Sequence, residues 1–290
     1  MSAAPVEREE GPLALICGGG SLPLAVAESV AKSGRRVVLF GLRGSAERAT
    51  IERFPHHWIY IGQLGRFFRT ARAEGCHEVV FIGALVRPSL WQVHPNLWDV
   101  RFFLQVLAAF RGGDNHLLSS MGRLLEAHGF ILRGAHEVAP EILVPEGSLG
   151  SVQPTQRDRD DIALGLDYLH ATGAYDVGQA AVVAGKHVLA VEAAEGTDQM
   201  LARIADLRAN GRLRAAAGSG VLVKAPKPGQ DRRFDLPSIG PQTVEGVARA
   251  GLAGMAVVAA STIIAEPELV IAAADRAKIF VIGTPAGIAR

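Results

Sequence analysis

Two cysteines in 290 residues are too few for a disulfide framework, so burial and hydrogen bonding must hold the fold, and a reducing cytoplasm suits it. Aromatic residues make up only 6% of the chain, and 30 basic residues face 29 acidic ones, which removes any global attraction to nucleic acid. An anion site in such a protein has to be local. No apolar run reaches the roughly 20 residues of a membrane helix, and the stretch from Gly251 to Ala265 falls short. Met1 to Glu10 is polar and acidic without an apolar core, so a frayed tail is expected there rather than a secretory signal. The histidines show no HExxH spacing and there is no GxSxG elbow, which disfavours histidine-held metal and a serine nucleophile.

What the chain does have is 49% hydrophobic residues and 33 glycines, the composition of a compact α/β protein, at a length that suggests about two domains. Leu13 to Cys17, Arg36 to Phe40, Trp58 to Ile61 and Glu78 to Ile82 read as strands. Leu22 to Ser33, Phe67 to Glu74, Val100 to Phe110 and Leu117 to His128 read as helices. That alternation predicts a Rossmann-like N-terminal domain with a parallel sheet over residues 11–134. From Gly134 to Pro154 the pattern breaks into Pro, Gly and isolated acidic residues, giving an expected linker over 135–156. A second, distinct α/β domain is expected over 157–290. It opens with a helix led by Asp158, Asp160 and Asp161 and continues with a hairpin of 180–184 and 187–191 turning at Gly185. Helix 198–210, strand 221–224, a Pro-rich loop to Gly240, helix 243–252, and strands 256–259 and 279–282 complete it.

Gly18, Gly19, Gly20 and Ser21 form a Gly-rich turn between the first strand and the first helix, where backbone N–H groups and the helix dipole suit a phosphate. A tight turn without a ligand is the other reading. Pro23 stands at the third glycine position of the dinucleotide fingerprint, and no acidic residue ends the second strand, which counts against a nicotinamide cofactor. Asp114 and Asn115 read as helix caps or as ligand contacts. Arg87, beyond the strand ending at Gly83, is a phosphate contact or a solvated side chain. Thr197 and Asp198 are an N-cap or further site residues.

The densest signal runs from Lys224 to Gly240. Lys224, Lys227, Arg232 and Arg233 stand beside Asp231 and Asp235 in a loop stiffened by prolines. Phosphoryl chemistry needs cations to spread charge and carboxylates to hold a metal or orient water. Ion pairs within the loop are the lesser alternative for the same charges.

LICGGGSLP, GALVRPSLW, EGTDQM and KAPKPGQDRRFDLPSIGPQTVEGVARAGLAGMAV together resemble the LpxI family of UDP-2,3-diacylglucosamine pyrophosphatases, a likeness running from Gly11 to the C-terminus. The resemblance implies hydrolysis of UDP-2,3-diacylglucosamine to 2,3-diacylglucosamine 1-phosphate (lipid X) and UMP in lipid A biosynthesis, with Mg²⁺ or another hard divalent cation such as Mn²⁺. It makes Asp231 and Asp235 the catalytic or metal-holding pair. Lys224, Lys227 and Arg232 become phosphate ligands and Gly19, Gly20 and Ser21 substrate contacts; Arg87, Thr197, Asp198 and Gln230 join them as expected substrate contacts from the residue pattern. It also implies a cytoplasmic protein at the inner-membrane surface, bound peripherally, with no nucleic-acid partner and the oligomeric state left open. Two rival readings stand beside it: an NADP-dependent oxidoreductase in which Arg43 meets the 2′-phosphate, and a nucleotide-lipid binding protein without turnover.

Overall fold

The computed structural model describes residues 11–84, 114–175, 177–213, 215–234 and 236–285, with backbone only for 114–119. The expected helix at Val100 to Phe110 lies outside the described residues. The chain forms two compact units, Met1–Pro140 with Asp231–Phe234, and Glu141–Gln230 with Asp235–Arg290.

Among the described residues the first unit has five strands, β1 (Leu13–Cys17), β2 (Val37–Leu42), β3 (His56–Ile59), β4 (Glu78–Ile82) and β5 (Ile131–Arg133). They pair in the order β3-β2-β1-β4-β5, every pair parallel. The winding reverses between β1 and β4, so a Rossmann-type crevice falls beyond their carboxyl ends. Helices α1 (Leu22–Lys32), α2 (Arg48–Ile51), α3 (Leu64–Ala73), α4 (Asp114–Ala127) and α5 (Ala135–Val138) connect and cover the strands. All of β1 and β2 is buried, which is why both read as unbroken apolar runs rather than alternating ones. Phe67, Phe68 and Ala71 of α3 pack with Ile16, Val38, Phe40 and Val79 in one core. Each fully buried side chain of this size contributes roughly 1.5–3 kcal/mol relative to exposure.

In the second unit β6 (Gly147–Ser148), β7 (Ala180–Ala184), β8 (His187–Val191), β9 (Val221–Lys224), β11 (Gly254–Val258) and β13 (Phe280–Thr284) form a mixed sheet in the order β6-β13-β11-β9-β7-β8. β10 (Ser238–Ile239) and β12 (Ile263–Ile264) make a small parallel pair beside it. Its helices are α6 (Gln156–Thr172), α7 (Gly196–Ala209), α8 (Pro241–Arg249) and α9 (Pro267–Ala277). Met200, Val244, Val247 and Val270 of α7, α8 and α9 pack with Leu222, Met255 and Val281. Ile162, Leu166 and Leu169 of α6 pack with Val221, Val223 and Ala256. Alternate residues of β9 thus serve opposite cores, which makes a three-layer α/β/α unit. The same alternation sends Lys224, at the end of β9, to the face carrying α7.

Several expectations shift. The third strand begins at His56 rather than Trp58, because parallel pairing with Leu39 starts there and this edge strand tolerates half-buried histidines. Helix α9 and strands β5 and β12 were not expected. The segment 135–156, read as a linker, is hydrogen-bonded into place: α5 lies in it, Val144 bonds across to Thr262 and Ala260, and β6 pairs antiparallel with β13. Its order comes from partners distant in sequence, so it leaves no period of its own.

The hairpin of β7 and β8 turns where expected. Gly185 (φ 59°) and Lys186 (φ 63°) are both left-handed, the geometry of the two-residue turn that matches strand twist. Lysine gains nothing from that conformation, and the carboxylate of Asp161 on α6, only 1% exposed, supports it by accepting from the Gly185 and Lys186 N–H groups at 2.8 and 2.7 Å. Asp158, expected to open α6, sits three residues in and closes a capping box with Thr155. Asp161→Ala removes two charge-assisted bonds and is expected to cost about 2–4 kcal/mol in urea unfolding. A loss under about 0.5 kcal/mol, the range of an ordinary surface change, would show that the hairpin holds itself.

Candidate active site

In the second unit the site forms at the carboxyl end of β9. Lys224 is only 7% exposed, and an ammonium at that depth needs acceptors. It donates to the Thr197 hydroxyl at 3.0 Å and to the Ser238 carbonyl at 2.9 Å. Thr197 lies in the first turn of α7, entered through Gly196 at φ 79°. The N-cap is Glu195 and no side chain caps the helix, so neither Thr197 nor Asp198 is the cap. Thr197 instead donates its proton to Glu192 at 2.8 Å, while Asp198 is exposed in the same turn. A buried cation beside the positive end of a helix dipole makes a locally electropositive place, the kind that phosphate oxygens seek.

The loop after β9 is tied at its start. Gln230 Oε1 accepts from the Lys227 N–H and from Gln179 Nε2, both at 3.1 Å. Lys227 is brought here by its backbone, and its charge is not part of that pair of bonds. Structure thus joins Thr197 to Lys224, and Gln230 to Lys227.

Asp231 to Phe234 cluster with the first unit. Phe234 lies 5.6 Å from Phe81, ring to ring, and a Cβ at Gly122 would stand 2.6 Å from the Phe234 ring. Arg233 holds the Asp231 carboxylate through Nε at 3.0 Å and Nη2 at 2.8 Å, and reaches Glu126 with Nη1 at 2.8 Å. That contact holds the Asp231 carboxyl below its ordinary value, with burial opposing it. Arg232 lies near His136, whose imidazole is pushed below its usual range first by burial and then by that guanidinium. His136 Nδ1 is buried with no hydrogen-bond partner among the described residues, and no motif marked it in the sequence. Asp235 and Arg87 lie outside the described residues, as do Gly112 and Gly113; of Asp114, Asn115 and His116 only the helical backbone is described.

The Gly-rich turn has a packing explanation for two of its glycines. The Gly18 and Gly19 N–H groups donate to the carbonyls of Ile82 and Ala84. A Cβ on Gly18 would stand 2.3 Å from the Ala84 oxygen, and one on Gly19 would stand 2.9 Å from the Ser45 oxygen. Gly20, at φ 90°, carries the chain into α1, where Ser21 makes no side-chain cap. Close packing of this kind does not account for Gly20, where a Cβ would meet nothing within 4 Å. Arg43, the rival cofactor contact, has its guanidinium 5.6 Å from the Trp58 ring and 5.7 Å from Tyr60. Cys17 is a buried strand end, its thiol pushed up to about 12 by burial, which leaves it unreactive.

Among the described residues no three histidine, cysteine, aspartate or glutamate side chains gather as a cation cage. Both Asp231 oxygens are engaged by Arg233. The described donors do not preform a metal site.

The family model described as the LpxI N-terminal domain matches residues 12–142, and that of the LpxI C-terminal domain matches 145–282. The chain belongs to the LpxI family. A curated relative, UDP-2,3-diacylglucosamine pyrophosphatase LpxI of Caulobacter vibrioides, is 43% identical over 271 residues, 93% of this chain and 96% of that protein. Among solved structures, UDP-glucose 4-epimerase of Thermus thermophilus with NAD matches at 12% identity and TM-score 0.29 over 94% of this chain and 86% of that one. A GalE-like L-threonine dehydrogenase of Cupriavidus necator matches at 10% and 0.29, over 90% and 88%. Both superpositions are too loose to define a common fold with this LpxI chain.

The Asp231–Arg233 pair predicts a pH signature. A carboxyl lowered on folding adds stability that is complete above its ordinary 3.8 and is lost as pH falls through the folded value. Arg233→Met should therefore be less stable than the parent by a constant amount across neutral pH, and the gap should narrow below 3.8. Urea unfolding over a pH series measures it; a gap that stays constant down to acid pH would mean that Asp231 gains nothing from Arg233.

Proposed function

We propose that this chain hydrolyses the pyrophosphate of UDP-2,3-diacylglucosamine, releasing UMP and 2,3-diacylglucosamine 1-phosphate, in lipid A biosynthesis. The observation that carries the reading is 43% identity, spanning 96% of the Caulobacter relative that bears that activity in its name. The site chemistry supports it. Lys224 is a buried cation held at a helix N-terminus, suited to oxygens on which negative charge accumulates as a phosphoanhydride breaks.

In this mechanism water attacks the glucosamine-side phosphorus. The new P–O bond forms as the bond to the UMP oxygen breaks, and UMP leaves with that electron pair. Lys224 stabilises the charge, with Lys227 and Arg232 proposed as further phosphate ligands and Gly20 and Ser21 as contacts to the nucleotide-bearing part. Arg233 keeps Asp231 ionised, and a carboxylate held low accepts hydrogen bonds readily but protons poorly. Its proposed role is to orient the water. Asp235 is the proposed second carboxylate. A hard divalent cation such as Mg²⁺ would supply charge neutralisation to the pyrophosphate when bound. No described helix is long and apolar enough to cross a membrane. A diacyl substrate resides in a lipid surface, so peripheral contact with the inner membrane from the cytoplasmic side completes the proposal.

The test is hydrolysis in ¹⁸O-water with Mg²⁺ present. UMP should be released and the label should appear in the lipid monophosphate alone. Label in UMP would reverse nucleophile and leaving group, and no release would sink the reading. Asp231→Asn should lower turnover at least about a hundredfold while substrate still binds, as expected for a lost positioning carboxylate; near-parental rates would remove Asp231 from the mechanism.

A further inference from the structure

We propose that Glu192 is a positioning residue for this hydrolysis, one carboxylate that sets both the Lys224 ammonium and the start of the loop leading to Asp231. The inference rests on the hydrolase reading above. Glu192 follows β8 directly, and its backbone still pairs across the sheet, donating to the Ala180 carbonyl at 2.9 Å and accepting from the Gly178 N–H at 2.8 Å. A Cβ at residue 178 would stand 2.5 Å from both Cβ and Cγ of Glu192. Glycine there lets the glutamate side chain lie flat across the neighbouring chain.

Each carboxylate oxygen then meets its own donor. Oε1 accepts from the Thr197 hydroxyl at 2.8 Å and Oε2 from the Gln179 N–H at 2.9 Å. A hydroxyl has one proton. With that proton given to Glu192, Thr197 Oγ1 presents lone pairs to Lys224, whose Nζ donates to it at 3.0 Å. Glu192 therefore fixes the direction of the whole chain of bonds, and the ammonium is placed by a carboxylate one hydroxyl away. Through its other oxygen Glu192 holds Gln179, which receives the Ala225 N–H on its carbonyl at 3.0 Å and gives its side-chain amide to Gln230 at 3.1 Å. Gln179 thus fastens the loop just after Lys224 and again just before Asp231.

Only a group with two acceptor oxygens satisfies both donors. In Glu192→Gln the amide NH₂ must face either Thr197 or Gln179, and either choice sets donor against donor or reverses the hydroxyl. A glutamate that merely filled space would tolerate the exchange. The role predicted here is a loss in the chemical step, because the misplaced ammonium acts on charge that grows in the transition state.

The experiment compares kcat and KM for the full chain, Glu192→Gln, Thr197→Val, Thr197→Ser and the Glu192→Gln/Thr197→Val double variant, with thermal melts as a folding control. Glu192→Gln and Thr197→Val should each lose about 10- to 100-fold in kcat, the scale of one lost electrostatic donor or its support, with KM moving less than about threefold. Thr197→Ser, which keeps the hydroxyl, should lose far less than Thr197→Val. The double variant should be within about twofold of the worse single, since both act through one chain of bonds. An unaltered kcat in Glu192→Gln, or losses that multiply in the double variant, overturns the proposal. Where Glu192→Gln melts early, the threonine pair decides: equal losses in Thr197→Val and Thr197→Ser overturn it. Failure of the parent protein to release UMP would instead sink the hydrolase reading.

Discussion

A lysine ammonium that is 7% exposed is the constraint around which the second unit is arranged. Moving such a charge out of water costs several kcal/mol unless acceptors replace its hydration. The place chosen makes the demand greater, because the N-terminal end of α7 adds its own positive potential. Thr197 and the Ser238 carbonyl answer at 3.0 and 2.9 Å, and Glu192 brings a full negative charge one hydroxyl further out. Each of these asks something of the fold. β8 must end where Glu192 reaches back, so its hairpin with β7 has to turn tightly, and the left-handed Gly185–Lys186 turn held by Asp161 does so. Gly178 must be bare for the glutamate to cross it. A charge at one strand end thus reaches through the hairpin to a carboxylate on the opposite helix layer.

The first unit solves a different problem with its glycines. At the point where the parallel sheet reverses its winding, the chains leaving β1 and β4 run close enough for Gly19 and Ala84 to bond to each other in both directions. Side chains at 18, 19 or 83 would strike backbone within 3 Å, so these three glycines are accounted for by close approach before any ligand is considered. The sequence motif alone could not separate that role from phosphate binding. The structure supplies the packing role for Gly18, Gly19 and Gly83, and Gly20 at the helix entry has no such close neighbour.

Much of the architecture was legible because burial and sequence pattern coincide. β1, β4, β7, β8 and β9 have the bounds expected from apolar runs ended by glycine or charge. β3 was misplaced by two residues because His56 and His57 sit at a sheet edge, where a polar residue costs little. α9 was overlooked although Pro267 at its start, Glu268 in its first turn and Val270, Ala273 and Ala274 on its buried face are ordinary helix signals. An apolar stretch just upstream masked the change of period. The candidate site was legible in residue types and not in pairings. Lys224, Thr197 and Asp231 stood out by motif, whereas Glu192 did not. Its role arises from a strand end meeting Gly178 and a helix start, a coincidence in space that no spacing along the chain encodes.

The pairing of Asp231 with Arg233 bears on how such chemistry is driven. A carboxylate pressed below its ordinary range by a guanidinium holds little affinity for a proton at neutral pH, so storing the proton of the attacking water is not its strength. Phosphoryl transfer asks little of a base, since its transition state is loose and bond formation to the nucleophile lags behind departure of the leaving group. What it asks for is fixed positive charge near the oxygens that become more negative. Under the proposed hydrolysis the buried Lys224 ammonium would serve that end, held by Thr197 and the Ser238 carbonyl among the described residues, with Glu192 shaping the first of these. If rate follows the placement of charge rather than the basicity of a carboxylate, then the residues that fix Lys224 weigh on turnover as heavily as residues that touch the substrate.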